Sequence, residues 1–264
     1  MDLQLKNKRA FVSGSTGGIG LAIAKVLAAE GAEVILNGRT QARIDQAIAQ
    51  LKKELPDAKL TGIPADFSDP ASVESLLNNL NSVDILVNNV GIFTSQSFAD
   101  TSDSDWYRMF EVNVMSGVRL SRAILPGMLT RNWGRILFVS SECAMLVPED
   151  LIAYSTTKAA LLAISRGLAQ TTKGSAVTVN TVVPGSTLSE GAERFLQEVA
   201  EKEQISEAEV AANFFKNVRT TSLIQRFIST EEIANTIAYL SSPLASATNG
   251  AAIKLEGGSV PGII

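Results

Sequence analysis

Short apolar runs alternate along the chain with longer stretches in which apolar residues recur every three or four positions. Runs such as Ile85-Leu86-Val87 and Ile136-Leu137-Phe138-Val139 are apolar on both faces, which is typical of strands covered by helices on each side. Seven strands are predicted, at residues 10–12, 33–36, 59–63, 85–87, 135–139, 176–183 and 251–255. The alternation indicates an α/β fold, a doubly wound parallel sheet in a single domain over residues 1–264.

Several helices carry recognisable start signals. Asp69 followed by Pro70 is typical of an N-cap with proline at the first helical position. Ser229 with Glu232 predicts a capping box, in which each residue bonds the main chain of the other. These signals mark where polar loops give way to helices.

Residues 186–226 interrupt the alternation, because two helical stretches follow each other with no strand between them. Ser206 with Glu209 predicts a capping box for the second stretch. The two stretches carry apolar stripes, formed by Phe195, Leu196 and Val199 and by Val210, Phe214 and Val218. Since the segment leaves the sixth strand where α/β proteins bind ligands, we predict a mobile helical lid over a substrate. The alternative is a rigid helical hairpin at an oligomer interface.

Composition narrows the classes of function. No apolar run approaches the roughly 20 residues that span a bilayer, and the polar N-terminus has no signal-peptide stretch. The single cysteine, Cys143, cannot form an internal disulfide. Together with the missing signal-peptide and membrane-spanning patterns, this predicts a cytoplasmic protein with no membrane partner. A net charge of −4 argues against nucleic acid as a partner.

The chain contains no histidine. This excludes Ser-His-Asp hydrolysis, Cys-His catalysis and every metal site built on histidine, and we expect no metal. Acid/base chemistry near neutral pH therefore depends on Tyr, Lys, Asp or Glu with a shifted pKa.

A glycine-rich loop follows the first strand. Gly14, Gly18 and Gly20 precede the apolar helical run that begins at Leu21. Glycines let a backbone approach a pyrophosphate, and the N-terminus of the next helix offers free N–H donors. A plain strand-to-helix turn is the alternative.

Tyr154 and Lys158 stand four positions apart, so a helix presents both on one face. An ordinary surface pair is the alternative, but the apolar neighbours Ala159, Ala160 and Leu161 make a freely solvated face a poor fit. A nearby cation lowers the pKa of a phenol from its reference value of about 10. We therefore predict that Tyr154 is an acid/base group and that Lys158 tunes it.

The order of these motifs resembles the classical short-chain dehydrogenase/reductase family. The resemblance spans essentially the whole chain and is nearest by pattern to 3-oxoacyl-carrier-protein reductases. It rests on the glycine spacing, with Ser13 in place of threonine, and on Asn88-Asn89-Val90-Gly91, Asn113, Ser141, Tyr154 with Lys158, Asn180 and Pro184-Gly185. Val90 replaces the alanine that is usual in the family.

The resemblance implies a Rossmann-fold oxidoreductase that moves a hydride between NADP(H) and a carbonyl or secondary alcohol. The implied catalytic residues are Asn113, Ser141, Tyr154 and Lys158. In the family, Ser141 bonds the substrate oxygen, Asn113 holds a water that links Lys158 to solvent, and Lys158 also binds the nicotinamide ribose. The implied cofactor-binding residues are Gly14, Thr16, Gly18, Ile19, Gly20, Arg39, Asp66, Phe67, Asn88, Gly91, Tyr154, Lys158, Pro184, Gly185 and Thr187.

Coenzyme choice is expected at the end of the second strand. There the family places an acid for NAD at Gly38 and a base for NADP at Arg39, so NADP(H) is favoured over NAD(H). Gly17 stands where many NADP-dependent members carry a second basic residue, so the preference is expected to be modest.

Two alternatives concern the function and its partner. An acyl-carrier-protein reductase would use a basic docking patch, for which Arg131, Arg135 and Lys173 are candidates, although residues 190–210 hold seven glutamates. A non-catalytic NADP-binding sensor or scaffold would not need an intact Ser-Tyr-Lys set. The family resemblance also implies a homo-oligomer, a tetramer or a dimer, acting on a small molecule.

Overall fold

The computed structural model describes residues 1–262. Its strands are, in chain order, β1 (Arg9–Val12), β2 (Glu33–Gly38), β3 (Leu60–Pro64), β4 (Ile85–Asn88), β5 (Gly134–Val139), β6 (Val177–Pro184), β7 (Thr187–Leu188), β8 (Ile228–Ser229) and β9 (Ala252–Leu255). Seven of them form one all-parallel sheet in the order β3-β2-β1-β4-β5-β6-β9. This confirms the predicted doubly wound sheet, and each of its strands lies within two residues of its predicted limits.

The helices are α1 (Gly18–Ala29), α2 (Gln41–Glu54), α3 (Pro70–Asn79), α4 (Asp103–Phe110), α5 (Ser116–Thr130), α6 (Cys143–Leu146), α7 (Ile152–Thr171), α8 (Glu190–Glu203), α9 (Glu207–Asn217) and α10 (Thr230–Ser241). A π-helical turn, Glu111–Met115, joins α4 to α5, and a short 3₁₀ turn, Pro243–Ala245, follows α10. No helix within residues 1–262 is long and apolar enough to cross a bilayer.

The core lies in two layers, one on each face of the central sheet. On β1, Ala10 and Val12 belong to the layer beneath α1, α2 and α10. Phe11 belongs to the opposite layer, beneath α3, α5 and α7, because successive side chains of a strand point to opposite faces. Burial on both faces explains why these strands read as continuous apolar runs.

The predicted helix starts are confirmed. The Asp69 carboxylate accepts a hydrogen bond from the Ala71 amide at 3.0 Å, with Pro70 in the first turn. Complete capping boxes begin α9, at Ser206 with Glu209, and α10, at Ser229 with Glu232. Local sequence was sufficient here because each cap involves residues only two or three positions apart.

The segment 186–226 contains the two predicted helices, α8 and α9, which pack on each other around Leu196, Ala200 and Val210. The predicted stripe on α9 is wrong at its end: the helix stops at Asn217, and Val218 is 56% exposed. Phe215 is buried instead, with its ring 5.0 Å from that of Phe227. The small parallel sheet formed by β7 and β8 was not predicted, because strands of two residues leave no periodic pattern.

The proposed basic patch is also wrong at Arg135. This side chain is 1% exposed and donates to the main-chain oxygens of Ser242 and Ala176, among others. Burial lowers the pKa of its guanidinium. Arg135 therefore hydrogen-bonds main-chain groups of separate segments inside the fold and is not available to a partner.

Replacing Ser229 with Ala removes the hydroxyl that accepts from the Glu232 amide at 3.2 Å at the start of α10. Because α10 packs against α1 and the sheet, we expect the free energy of unfolding to fall by about 1 kcal/mol. Urea denaturation measures this, with Ser246→Ala, an exposed serine outside any N-cap, as the control. Equal midpoints for Ser229→Ala and the unchanged protein would contradict the expectation.

Candidate active site

The glycine loop between β1 and α1 lies at the carboxyl edge of the sheet. Gly14 and Gly18 have φ angles of 61° and 53°, in the left-handed region that favours glycine. A Cβ at Gly20 would lie 2.3 Å from the Gly14 carbonyl oxygen. No side chain caps the first turn of α1, so its amides remain free to donate to an anion. This open cradle fits the pyrophosphate of a dinucleotide.

Three polar side chains that the motif analysis did not assign hold this loop in place. The Ser13 hydroxyl accepts from the amides of Asn89 and Val90 at 2.9 and 3.1 Å. The Asn89 side chain donates to the carbonyl oxygens of Ser13 and Gly14, each at 3.0 Å, and Asn37 accepts from the Gly14 amide at 3.0 Å. A fully buried asparagine at the end of β2 was the available signal, since buried polar groups need partners.

Arg39 and Asp66 lie close together beyond the ends of β2 and β3. The hydroxyl and amide of Ser68 hold the pKa of the Asp66 carboxyl below its ordinary value, and the Arg39 guanidinium adds to this effect. Arg39 is exposed at the surface. The ring of Phe67 is only 3% exposed and belongs to the core, so only its main chain can face a coenzyme.

Gly38, next to Arg39, has little room for a side chain. A Cβ there would lie 2.5 Å from Cγ2 of Thr16, so any larger residue requires the Thr16 side chain to move. Packing of β2 against the glycine loop therefore favours glycine at this position, independently of coenzyme choice.

The other predicted coenzyme residues form the floor and rim of the same edge. Asn88 is buried, and its amide approaches the Ser121 hydroxyl at 3.3 Å on α5. A Cβ at Gly91 would lie 3.2 Å from the Lys158 ammonium nitrogen. The Gly185 amide donates to the Leu255 carbonyl at 3.0 Å, and the Thr187 hydroxyl donates to the Gly185 carbonyl at 2.8 Å. Pro184 is buried, and Ile19 is partly buried in the first turn of α1.

The structure brings together three of the predicted catalytic residues. Ser141 follows β5, and Tyr154 and Lys158 lie one turn apart on α7. Lys158 is 4% exposed, and its ammonium donates to the Val139 carbonyl at 3.0 Å. The same ammonium lies 5.6 Å from the ring centroid of Tyr154, and the ring of Phe93 contacts Tyr154 edge-on at 5.8 Å.

Asn113 lies in the π-helical turn, a rare element that often occurs at functional sites. Its side chain accepts from the Ile92 amide at 2.7 Å and donates to the Ile92 carbonyl at 2.8 Å. It also donates to the Thr157 hydroxyl at 3.0 Å, which in turn donates to the Tyr154 carbonyl at 2.7 Å. The side chain of Asn113 therefore ties the loop after β4 to the helix that carries Tyr154.

The electrostatics of the pair differ from the sequence prediction. Tyr154 is only partly buried, but the surrounding protein desolvates its phenol and raises the pKa, and the Ser141 hydroxyl opposes only part of this effect. Burial also lowers the pKa of Lys158, to about 8. Both changes have the same cause, since a low-dielectric environment disfavours the charged form of either group. Within the protein alone, Lys158 does not offset the effect of desolvation on the pKa of the phenol; the predicted lowering also depends on the positive charge of an oxidised nicotinamide.

An acidic residue of the segment 186–226 lies beside the glycine loop. The Glu190 carboxylate, at the start of α8, would lie 3.4 Å from a Cβ at Gly17, beside the glycine loop. Gly17, which stands where many NADP-dependent members of the family carry a basic residue, therefore faces the acidic side chain of Glu190. Sequence spacing gave no sign of this contact, which joins two elements distant along the chain.

Comparisons with known proteins identify the family of the chain. A sequence model of the family described as "short chain dehydrogenase" matches residues 8–200. The chain is 47% identical over 260 residues, 98% of each protein, to the "Uncharacterized oxidoreductase YvaG" of Bacillus subtilis (strain 168). It is 32% identical to the 3-oxoacyl-[acyl-carrier-protein] reductase FabG of Aquifex aeolicus (strain VF5), over 98% of this chain and 99% of that protein.

The fold is similar to that of L-sorbose reductase from Gluconobacter frateurii, a crystal structure complexed with NADPH and L-sorbose. The TM-score is 0.93 with 30% sequence identity, and the alignment covers 100% of both chains. The family model covers most of the chain, and the similarity in sequence and in fold extends over nearly all of it. The chain belongs to the short-chain dehydrogenase/reductase family of oxidoreductases.

Proposed function

We propose that the protein transfers a hydride between NADP(H), in preference to NAD(H), and a small carbonyl or secondary-alcohol substrate, with Tyr154 as the acid/base. The observation that carries this proposal is the placement of Ser141, Tyr154 and a buried Lys158 at the sheet edge that also holds the glycine loop. Ligands of open α/β sheets bind at this edge. L-sorbose reductase, crystallised with NADPH and a sugar, supports this choice of cofactor and substrate class.

The residues fit a dinucleotide at both ends. The free amides of α1 and the left-handed glycines would hold the pyrophosphate, Arg39 the 2′-phosphate, and Lys158 the nicotinamide ribose. When bound, the nicotinamide supplies or accepts the hydride and, in its oxidised form, adds positive charge to the site. The modest preference expected from Gly17 is consistent with the acid beside it, Glu190.

Tyr154 and Ser141 would act on the substrate oxygen. The Ser141 hydroxyl donates to that oxygen as negative charge develops on it. Because burial raises the pKa of Tyr154, the neutral phenol is the resting form, which suits protonation of the oxygen in carbonyl reduction. Alcohol oxidation needs the phenolate, so it depends more strongly on positive charge nearby, part of which Lys158 provides.

We favour a small substrate over an acyl group carried by an acidic protein. The seven glutamates of residues 190–210 lie on or next to α8 and α9, and each of them is exposed. Arg135 is buried, so the basic patch that would dock a carrier protein is lacking one of its three candidates. Like charge at the rim would repel such a carrier. We further propose that the segment 186–226 acts as a lid over the substrate.

Replacing Tyr154 with Phe keeps the ring but removes the transferable proton. We expect kcat to fall by about 10²- to 10⁴-fold while NADPH still binds. A panel of ketones, aldehydes and acyl thioesters, followed by the absorbance of NADPH, measures turnover, and calorimetry measures binding. Tyr107→Phe, at an exposed tyrosine on α4, is the control. Near-normal turnover in Tyr154→Phe, or no substrate in the panel, would contradict the proposal.

Arg39→Gln tests the coenzyme preference. Loss of one charged contact to the 2′-phosphate is worth about 1.5–3 kcal/mol, so the Kd of NADPH should rise by roughly 10- to 100-fold. The Kd of NADH should change little, because it carries a hydroxyl in place of this phosphate. Arg43→Gln, an exposed arginine on α2, is the matched control. Equal losses for both coenzymes, measured by calorimetry, would exclude Arg39 as the selector.

We expect Lys158 to lower the free energy of unfolding, which is typical of a residue retained for function. Its pKa of about 8 in the folded protein lies below its ordinary value of 10.5, so folding disfavours the charged form. Below pH 8 the lysine is charged in both states and the penalty is complete. Between these two values the unfolded state binds more protons, so stability rises with pH and the penalty disappears.

Lys158→Met should therefore stabilise the protein near pH 7 while abolishing turnover. Removal of the buried charge should raise the free energy of unfolding by about 3 kcal/mol. Loss of the hydrogen bond to the Val139 carbonyl should lower it by about 1 kcal/mol, which leaves a net increase of about 2 kcal/mol. Urea denaturation should show a smaller gain at pH 10 than at pH 7. Lys173→Met, at an exposed lysine, should show no such dependence. A variant less stable than the unchanged protein at pH 7 would refute the argument.

A further inference from the structure

Glu142 directly follows Ser141 and is a buried carboxylate at the active-site edge of the sheet. Its side chain is 3% exposed. Its amide donates to the Pro184 carbonyl at 2.7 Å, and its carbonyl accepts from the Met145 amide at 2.9 Å at the start of α6. Glu142 thereby fixes the main chain on which Ser141 lies.

The same residue holds both ends of the segment 186–226. One carboxylate oxygen, Oε1, accepts from the Ser186 hydroxyl at 3.0 Å and from Nε of Arg219 at 2.7 Å. Ser186 begins the segment, and Arg219 follows α9 near its end. Arg219 also lies over the ring of Phe214, with its guanidinium carbon 5.7 Å from the ring centroid. A single carboxylate therefore connects the Ser141 loop with both the entry and the return of the helical segment.

Stability is a weak explanation for this ion pair. The side chain of Arg219 is 13% exposed, so both charges have lost most of their water. Apolar residues of similar size often replace buried ion pairs at no cost, whereas removal of one partner leaves an unpaired charge. The second oxygen of Glu142, Oε2, is buried and has no hydrogen-bond partner within residues 1–262. The charge of the Glu142 carboxylate is thus balanced by Arg219. The ion pair adds little stability to the fold, and its main effect is to connect the Ser141 loop with the segment 186–226.

Apart from Glu142, the segment is attached mainly through bonds to main-chain groups near its two ends. β7 pairs with β8, the Ile228 amide donates to the Ser186 carbonyl at 2.9 Å, and the Thr221 hydroxyl donates to the Ser259 carbonyl. The helices of the segment pack on each other around a small core of their own, separate from the two layers of the sheet. Its return is held by the amides of Leu223 and Ile224, which donate to the Gly257 carbonyl at 2.8 and 3.1 Å. Arg226 pairs with Glu232 at the surface. Among the ion pairs of residues 1–262, only Glu142 with Arg219 is buried and joins this segment to the catalytic loop.

We propose that Glu142 and Arg219 are positioning residues that couple the placement of the segment 186–226 to the placement of Ser141. The proposal rests on the proposed function, in which Ser141 bonds the substrate oxygen and the segment covers it. Neither residue is assigned contact with substrate. Their effect reaches the reaction through the hydroxyl of Ser141 and through the closed position of the helices.

The test compares Glu142→Gln, Arg219→Met, the double variant and the control Arg226→Met, which breaks the exposed ion pair. The substrate is the ketone or aldehyde that the unchanged protein reduces fastest with NADPH. We expect kcat to fall at least about tenfold in both single variants and in the double variant, with a smaller change in KM. Thermal stability should fall in the singles and recover in the double variant, where no charge is left unpaired. Arg226→Met should keep its kcat.

Hydrogen exchange gives a second readout that needs no turnover. In Glu142→Gln and Arg219→Met, amides of residues 186–226 and of residues 141–146 should exchange faster together, while those of β1 and β4 stay protected. If no compound is reduced by the unchanged protein, the proposed function fails, and exchange still decides whether the two regions are coupled. The proposal is overturned if kcat recovers with stability in the double variant, or if exchange in either region is unchanged in both single variants.

Discussion

Lys158 places an ammonium group where protein has replaced nearly all of its water. Such a group persists only with directed acceptors, and the carbonyl at the end of β5, Val139, supplies one. The Ser140 hydroxyl bonds the carbonyl of Lys158 itself at 2.8 Å, which holds α7 against the same strand end. These two bonds hold α7 against the end of β5, next to the loop that carries Ser141. Burial also shifts the neighbouring Tyr154 towards its neutral form.

The strand order of the parallel sheet determines where a ligand can bind. The order of strands reverses between β1 and β4, and the crevice at this reversal lies outside the carboxyl ends of the strands. Asn89, immediately after β4, bonds the glycine loop after β1, while Asn113 joins the chain just beyond it to α7. The glycine loop and α7 are thus connected through one short loop. A substitution in that loop is therefore expected to affect both the glycine loop and the position of α7.

Glu142 extends the same network to the helical segment beyond β6. In a region where most polar groups bond the main chain, its carboxylate is shared between Ser186 and Arg219. The outer faces of α8 and α9 are acidic, and Glu190 lies beside the glycine loop. The segment therefore combines a buried ionic attachment with an acidic outer surface.

The sequence by itself determined the elements whose causes are local. Apolar runs located the strands of the central sheet, adjacent polar residues located the caps of α3, α9 and α10, and motif order located Ser141, Tyr154 and Lys158. Tertiary structure decided what depends on neighbours distant in the chain. Burial of Arg135 removed a predicted surface patch, and packing against Phe227 selected Phe215 for the interior while Val218 lies beyond the end of α9. The pKa of Tyr154 and the partners of Glu142 likewise follow from desolvation and from contacts between separate elements, which no local spacing encodes.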